Sequence, residues 1–173
     1  MSGEWWTSFR VAPGWLIHAA ASDRGIARIE IGGDRQPAGE DPHPLLARVR
    51  RQLEEYFRGE RTEFDVPLDL RGTEFELRVW EKLQEVPYGE TIRYAQLAQR
   101  VGSPRAFRAV GRANGKNPVP IIVPCHRVIA SGGGLGGYSA GISYKRLLLE
   151  LEASNTKRIN SSARSSSTPI FSQ

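Results

Sequence analysis

Apolar and polar residues alternate in short runs over the first 32 residues of this 173-residue chain. The runs are interrupted by Pro13-Gly14 and by Asp23-Arg24-Gly25, and both sequences favour turns. Alternation with a period of two is typical of strands with one buried face, so this region predicts a hairpin or meander of strands. From Pro42 the apolar positions recur at helical spacing as far as Gly59, and residues 60–72 then have the pattern of an extended segment.

The second half of the chain has a mainly helical pattern. Thr73 and Glu76 have the spacing of a capping box, in which each side chain bonds the other residue's backbone at the start of a helix. The apolar stripe of this helix ends at Pro87-Tyr88-Gly89. The chain therefore predicts an α+β fold, with a mixed first part over residues 1–72 and a helical second part over residues 73–152.

Two short helices follow in the helical part. The first opens at Thr91 and is stopped by Gly102; the second has Ser103 as its N-cap and Pro104 in its first turn. Two helices joined by a three-residue turn with a glycine indicate a helix-turn-helix, whose second helix would enter a DNA groove. That second helix carries small residues, which would let a backbone approach DNA closely: Ala106, Ala109, Gly111 and Ala113.

The chain ends in a turn, a glycine-rich loop, a helix and a tail. Residues 117–130 predict a turn and an apolar, strand-like segment, and residues 131–141 include six glycines. Ile142 to Glu152 has helical periodicity. Residues 153–173 contain seven serines without periodicity, which predicts a disordered tail.

Charge is distributed unevenly along the chain. Residues 1–90 carry 12 Lys/Arg and 17 Asp/Glu, whereas residues 91–149 carry nine Lys/Arg and no acid. Such segregation is typical of a protein that binds a polyanion such as nucleic acid. A basic face that is merely solvated would have the same composition. No apolar run has the length of a membrane span, and the N-terminus lacks the pattern of a secretory signal. With a single cysteine, this composition indicates a cytoplasmic, reducing setting.

Cys125 is the only cysteine, which excludes an intramolecular disulfide, thiol–disulfide exchange by a Cys-x-x-Cys pair and a multi-cysteine metal site. A lone cysteine is often inert and buried. Here a histidine and an arginine follow it, and cationic neighbours lower a thiol pKa and favour a nucleophile. A cysteine phosphatase loop would need arginine where Ser131 stands, and a papain-like site would need His18 or His43, which lie in the acidic half.

His126 is the nearest candidate base for Cys125. Adjacent side chains on extended backbone point apart, so a water would have to bridge the two residues, or a turn would have to fold them together. A carboxylate would be needed to hold the imidazole tautomer, and the only acids after Glu90 are Glu150 and Glu152. The residues thus allow a relay of Glu, His, water and Cys, or a purely structural histidine.

The segment Asn117-Pro-Val-Pro-Ile-Ile-Val-Pro-Cys-His-Arg-Val128 resembles the active-site signature of the O6-alkylguanine-DNA alkyltransferases, also called methylated-DNA–protein-cysteine methyltransferases. Segments 87–94, 108–111 and 136–139 match the same family in order and spacing. The likeness is strong over residues 73–152 and general over the first 72. It implies a small N-terminal α/β, ribonuclease-H-like domain, then a helical domain of winged helix-turn-helix type that carries the cysteine.

The resemblance also implies a reaction, in which Cys125 takes the alkyl group from O6-alkylguanine. It does not decide whether O4-alkylthymine is also a substrate. The thioether product is irreversible, so each molecule would act once. His126 would remove the thiol proton through water, Glu152 would orient His126, Tyr94 would assist the departing guanine and Asn117 would hold the turn. No cofactor is implied, and one cysteine cannot form the zinc site or four-cysteine domain of some relatives.

By the same resemblance, the partner is double-stranded DNA, which is bound through the minor groove largely without regard to sequence. The protein is expected to be a monomer, and whether it binds DNA cooperatively is left open. Arg108 would fill the stack vacated by the flipped base. The further DNA-contacting candidates are Arg93, Tyr94, Ala106, Ala109, Arg112, Lys116 and Arg127. The candidate pocket residues are Val128, Gly136, Tyr138 and Ser139. Two alternatives remain, namely a lesion sensor that transfers nothing and a helix-turn-helix regulator with an inert cysteine.

Overall fold

The structure is a computed structural model that describes residues 3–36 and 41–166. In chain order, its elements are β1 (Trp5–Ala12), β2 (Trp15–Ser22), β3 (Gly25–Ile31), α1 (Pro44–Phe57), α2 (Glu74–Leu83), β4 (Ile92–Arg93), α3 (Tyr94–Val101), α4 (Phe107–Gly115), a 3-10 turn (Cys125–Arg127), β5 (Val128–Ile129) and α5 (Ile142–Ser165). A small sheet with one helix thus precedes a helical region, which confirms the predicted α+β fold.

The N-terminal sheet is an antiparallel meander in the order β1-β2-β3, as the alternating pattern predicted. The central strand β2 is buried along its whole length. Helix α1 covers the sheet with the buried face that carries Leu46, Val49 and Leu53. The ring Nδ1 of His43 accepts a hydrogen bond from the backbone N–H of Leu45 (3.2 Å), which caps α1.

The extended segment after α1 runs beside β3. Ile26 donates its backbone N–H to the carbonyl of Pro67 (2.8 Å), and Asp69 donates to the carbonyl of Ile26 (2.9 Å). A Cβ on Gly25 would lie 2.6 Å from the Pro67 oxygen, so a glycine is required for this close approach. The predicted extended conformation is therefore present, and the segment pairs with β3 through a parallel bridge between Ile26 and Leu68.

Helix α2 begins at the predicted capping box. The Thr73 hydroxyl accepts from the N–H of Glu76, and the Glu76 carboxylate accepts from the N–H of Thr73, both at 3.1 Å. Further along α2, the buried indole of Trp80 donates its N–H to the carbonyl of Ala113 in α4 (2.8 Å). This bond fixes α4 against α2 in the interior of the helical region.

The helix-turn-helix pair is present with different boundaries. Residues 92–93 form β4, which pairs in parallel with β5, so the first helix begins at Tyr94 and not at Thr91. It ends at Gly102 as predicted, with φ at +82°. The predicted cap at Ser103 is wrong, because the Ser103 carbonyl closes a turn with the N–H of Ala106 (2.9 Å) and α4 begins one residue later.

The last helix continues beyond its predicted end. The prediction of a disordered tail is wrong for residues 153–165, which belong to α5, while residues 167–173 lie outside the described part of the chain. Contacts hold the first part of this extension in place: Asn155 donates to the Tyr88 hydroxyl (3.1 Å) and Arg158 donates to the carbonyl of Gly59 (2.7 Å), while residues 159–165 are exposed. Among the described residues, no helix has the length and apolar character needed to cross a membrane.

Candidate active site

A network around Asn117 shapes the segment that leads to the cysteine. The Asn117 side chain donates to the carbonyl of Val123 (2.7 Å) and accepts from the N–H of Val119 (3.0 Å). Val123 also donates to the carbonyl of Val119 (3.0 Å), and Ile121 between them has a φ of +75°, which is strained for a β-branched residue. The segment is therefore a tight turn, not the predicted strand-like run, and it delivers Cys125 into the 3-10 turn.

The Cys125 side chain lies inside the protein, with 4% of the residue exposed. Burial raises the pKa of its thiol to about 11, against the opposing effects of the Asn117 side chain and the Lys145 ammonium. The sequence led us to expect a pKa lowered by cationic neighbours. The structure differs because the thiol is buried and the guanidinium of Arg127 bonds Glu152 instead, so the resting sulfur is a protonated thiol.

His126 and Glu152 form a buried pair. The His126 Nε2 lies 2.7 Å from the Glu152 Oε1, and both side chains are essentially inaccessible. Since a carboxylate only accepts, we assign the proton to Nε2, which leaves Nδ1 as the free basic atom. Burial lowers the pKa of His126, and its Nδ1 has no hydrogen-bond partner among the described residues. Of the two candidate acids, Glu150 is exposed and Glu152 makes the contact.

Arg127 completes the binding of Glu152. Its Nε and Nη2 donate to both carboxylate oxygens at 2.9 Å, and its Nη1 donates to the carbonyl of Val86 (2.7 Å). Burial alone would raise the pKa of Glu152, but the bonds from His126 and Arg127 prevail and lower it to about 2. The prediction that Arg127 contacts DNA is wrong, because its side chain is buried and engaged with Glu152 and Val86.

Lys145 is a buried residue that sequence reasoning did not single out. Its Nζ donates to the carbonyls of Val128 (2.6 Å) and Gly137 (3.2 Å) and lies 5.9 Å from the centre of the Tyr94 ring. Burial lowers its pKa to about 8, opposed by the nearby Cys125. In the sequence this lysine had no distinguishing signal, since it appeared as one of nine basic residues in an acid-free stretch.

A cavity of about 380 Å³ opens beside this cluster between α3, α4 and the glycine-rich loop. It is lined by Tyr94, Gly111, Asn114, Gly115, Gly137, Tyr138 and Ser139. Gly136 lies behind Tyr94, where an added Cβ would come within 3.0 Å of the ring. The predicted pocket residue Val128 is absent from this lining; its side chain is in the core and it takes part through its carbonyl.

Two polar atoms on the cavity wall have no hydrogen-bond partner within residues 3–36 and 41–166. The Oη of Tyr138 and the Oδ1 of Asn114 are buried and have no hydrogen-bond partner among the described residues. Buried polar atoms are satisfied in the great majority of cases, so these two atoms are the ones available to hydrogen-bond a polar group that enters the cavity. The Tyr94 hydroxyl is on the same wall, and burial raises its pKa, which keeps it a proton donor.

The basic residues of the helix pair form an exposed surface next to the cavity. In α4, Arg108 and Arg112 are exposed and four residues apart, and Lys116 follows at the same interval with an ion pair to Glu76 at 3.2 Å. Arg93 is exposed before α3. Ala106 and Ala109 are half-buried between these charges.

Phe107, another residue that sequence reasoning missed, is 51% exposed, and the Arg108 guanidinium lies 6.0 Å from its ring centre. It lines a second hollow of about 310 Å³ with Tyr94 and Gly111. The sequence showed an aromatic residue near the start of this helix. Helical spacing alone cannot distinguish an exposed aromatic side chain from one in the core.

Two family models match this chain. The 6-O-methylguanine DNA methyltransferase DNA-binding domain matches residues 74–154, and the ribonuclease-like domain of the same proteins matches residues 11–70. A solved structure of Mycobacterium tuberculosis OGT in complex with DNA is similar with a TM-score of 0.78 and 45% identity, covering 87% of this chain and 93% of that one.

Curated relatives are similar as well. The methylated-DNA–protein-cysteine methyltransferase of Mycobacterium bovis is 62% identical over 103 residues, which is 60% of this chain and 62% of the relative. The protein of that name from Methanosarcina mazei is 52% identical over 151 residues, 84% of this chain and 96% of the relative. The match thus spans about three fifths of the mycobacterial relative and almost all of the archaeal one. The chain belongs to the 6-O-methylguanine DNA methyltransferase family.

Proposed function

We propose that this protein repairs DNA by moving the alkyl group of O6-alkylguanine to Cys125, once per molecule. The observation that carries the proposal is a buried cysteine with a His126–Glu152 pair, next to a cavity whose Tyr138 and Asn114 oxygens have no partner in the described part of the chain. The names of the relatives support the same activity.

The reaction forms a C–S bond and breaks the C–O6 bond. The Cys125 sulfur attacks the alkyl carbon, the electron pair of the broken bond stays on guanine, and Tyr94 supplies a proton to the departing base. The thiol proton moves through water to the free Nδ1 of His126. His126 then passes a proton to Tyr94, which has given its own to guanine. Thiol and alkylguanine thereby become thioether and guanine. Asn117 keeps the turn in place and thereby aims the sulfur.

Base assistance is required because of the thiol's environment. With a pKa of about 11, a fraction on the order of 10⁻⁴ of the Cys125 thiol is ionised at pH 7. His126 is neutral under these conditions since burial lowers its pKa. Glu152, ionised at pH 7, favours the imidazolium that forms during the transfer. The thiol is therefore protected from other electrophiles until a substrate occupies the cavity and the base acts.

We infer that the substrate is double-stranded DNA, because the O6 atom lies within the base stack and a flipped base would reach the cavity. In this proposal Arg108, beside the exposed Phe107, fills the vacated stack from the minor groove. Arg93, Arg112 and Lys116 contact phosphates, and Ala106 with Ala109 allow close approach. One chain contains every named group, so we propose that it works as a monomer, in the cytoplasm, as the composition predicts.

The domain division follows from the same proposal. Residues 73–152 hold the cavity, the relay and the basic surface, while residues 1–72 contribute support from the sheet and α1.

A duplex with one O6-methylguanine tests the proposal when it is mixed with the protein at increasing ratios. We expect the lesion to be restored to guanine in proportion to protein, with one lesion per molecule and no turnover. Tight lesion binding without restoration would contradict the proposal in favour of a sensor. Equal binding to damaged and undamaged duplex, with preference for one sequence, would contradict it in favour of a regulator.

A further inference from the structure

A tyrosine from the N-terminal region reaches the relay. Tyr56 lies in the last turn of α1, is fully buried, and donates its hydroxyl to the Glu152 Oε1 at 2.8 Å across 96 residues of sequence. Its ring is held by Phe64 and Tyr88, whose ring centres lie 5.5 and 6.0 Å away. Nothing in the helical periodicity of α1 distinguishes Tyr56 from an ordinary core residue.

The oxygen that Tyr56 contacts is the one that His126 uses. The Glu152 Oε1 accepts from the Tyr56 hydroxyl, from the His126 Nε2 (2.7 Å) and from the Arg127 Nη2 (2.9 Å). The other oxygen accepts from Arg127 and from the N–H of Gly89 (3.2 Å). Because three donors share one oxygen, each draws negative charge from it and weakens the attraction that the other two experience.

We propose that Tyr56 is a positioning residue for alkyl transfer: it fixes the Glu152 carboxylate and sets how strongly that carboxylate supports protonation of His126. The inference rests on the proposed function, since it assigns the relay a part in transfer. It gives the N-terminal region a direct contact with the site, although that region contains none of the reacting atoms. The phenol stays a donor at all working pH values, because burial raises the pKa of Tyr56 well above its usual range.

The sign of the effect follows from the groups around the carboxylate. They are Tyr56 from α1, Tyr88 before β4, His126 and Arg127 in the 3-10 turn, Tyr138 in the glycine-rich loop and Lys145 in α5. Of these, Tyr56, His126 and Arg127 bond the carboxylate directly. Removal of the Tyr56 hydroxyl leaves more charge on Oε1, stabilises protonated His126 and raises the pKa of His126.

Tyr56→Phe tests this, with Tyr88→Phe as the matched control, because the Tyr88 hydroxyl bonds Asn155 and not Glu152. Histidine-labelled protein is titrated by NMR, with His18 and His43 as internal references. In Tyr56→Phe we expect the pKa of His126 to rise by at least about 0.3 unit. If His126 stays neutral until unfolding, its Nε2 proton resonance should move downfield instead. An unchanged titration and an unchanged resonance would overturn the proposal.

Transfer to Cys125 supplies the functional readout. The acid limb of the rate–pH profile for an O6-methylguanine duplex should move to higher pH in Tyr56→Phe and stay in place in Tyr88→Phe; coincident profiles would overturn the proposal. If wild-type protein transfers no methyl group, the proposed function fails, while the NMR comparison still decides the Tyr56 contact. If Tyr56→Phe does not fold, 3-fluorotyrosine at position 56, a stronger donor, should shift the pKa of His126 downward, and no shift would refute the proposal.

Discussion

The ammonium nitrogen of Lys145 lies 2.6 Å from the carbonyl oxygen of Val128, inside the protein and away from its basic surface. The bond joins α5 to β5, the strand that follows the cysteine turn. A second bond to Gly137 joins the same lysine to the loop that lines the cavity. Lys145 thus holds three parts of the site together, and it places one positive charge close to Cys125.

Lys145→Met should therefore slow transfer while the fold is retained. Methionine keeps the apolar stem but leaves two carbonyls without a donor and removes the charge that favours the thiolate. We expect the single-turnover rate to fall about tenfold or more, since a loss of about 1.4 kcal/mol of thiolate stabilisation corresponds to a factor of ten. Lys157→Met, on the exposed side of α5, is the control and should react normally. Equal rates in both variants would show that Lys145 is not needed.

Glu152 should make the fold acid-sensitive. Its pKa is about 2 in the folded protein and about 4.3 when the chain is unfolded, so its contribution to stability is complete above the unfolded value and is lost as pH falls toward 2. The integrated effect is about 3 kcal/mol. Urea unfolding at pH 2 to 7 measures it.

Glu152→Gln is the informative comparison for this pH dependence. The variant should be about 3 kcal/mol or more less stable at pH 7, because the buried Arg127 loses its partner, and its stability should change less between pH 5 and 2. Parallel curves for the two proteins would contradict the assignment.

Local signals in the sequence predicted local structure well. The capping box at Thr73 and the stop at Gly102 both depend on residues within one helical turn, and both are confirmed. The Ser103 cap was wrong because the serine carbonyl, rather than its side chain, closes the following turn. The continuation of α5 past Glu152 was missed because Asn155 and Arg158 make distant contacts with Tyr88 and Gly59, which composition does not reveal.

The residues that form the site could be predicted from the sequence, but the burial of its charged groups and the direction of the thiol pKa shift could not. Cys125, His126 and Glu152 were all named from sequence, and the structure brings the last two into contact. The pattern of nine cations could not reveal that Arg127 and Lys145 are buried, because a charge count carries no information about which side chains face solvent. For the same reason a lowered thiol pKa was expected where burial in fact raises it.

Tyr138→Phe should separate stability from function. The Tyr138 hydroxyl is buried without a partner among the described residues, so its removal should raise the free energy of unfolding by about 1 kcal/mol. The same change should weaken binding of the alkylated base and slow transfer. Tyr144→Phe, whose hydroxyl reaches the Gly14 carbonyl at 3.3 Å, is the control and should leave transfer unchanged. A Tyr138→Phe protein that is less stable and fully active would contradict the ligand role of this hydroxyl.

Arg108→Ala should slow repair of duplex DNA far more than reaction with free O6-alkylguanine. An arginine that fills the vacated stack is needed only when a base must leave a duplex, so we expect a duplex rate lowered at least about tenfold and a nearly unchanged rate with the free base. Arg105→Ala, an exposed arginine in the turn before α4, should chiefly alter the salt dependence of binding. Equal slowing with both substrates would exclude a flipping role for Arg108.

The central claim is that the sulfur of Cys125 itself receives the alkyl group, and peptide mass analysis after reaction with an O6-methylguanine duplex tests it most directly. We predict that the peptide with Cys125 gains the mass of one methylene unit, that every other peptide is unchanged, and that Cys125→Ser protein gains nothing while it still binds the duplex. An unmodified Cys125 peptide from protein that has restored the lesion, or a methyl group on another residue, would contradict the account.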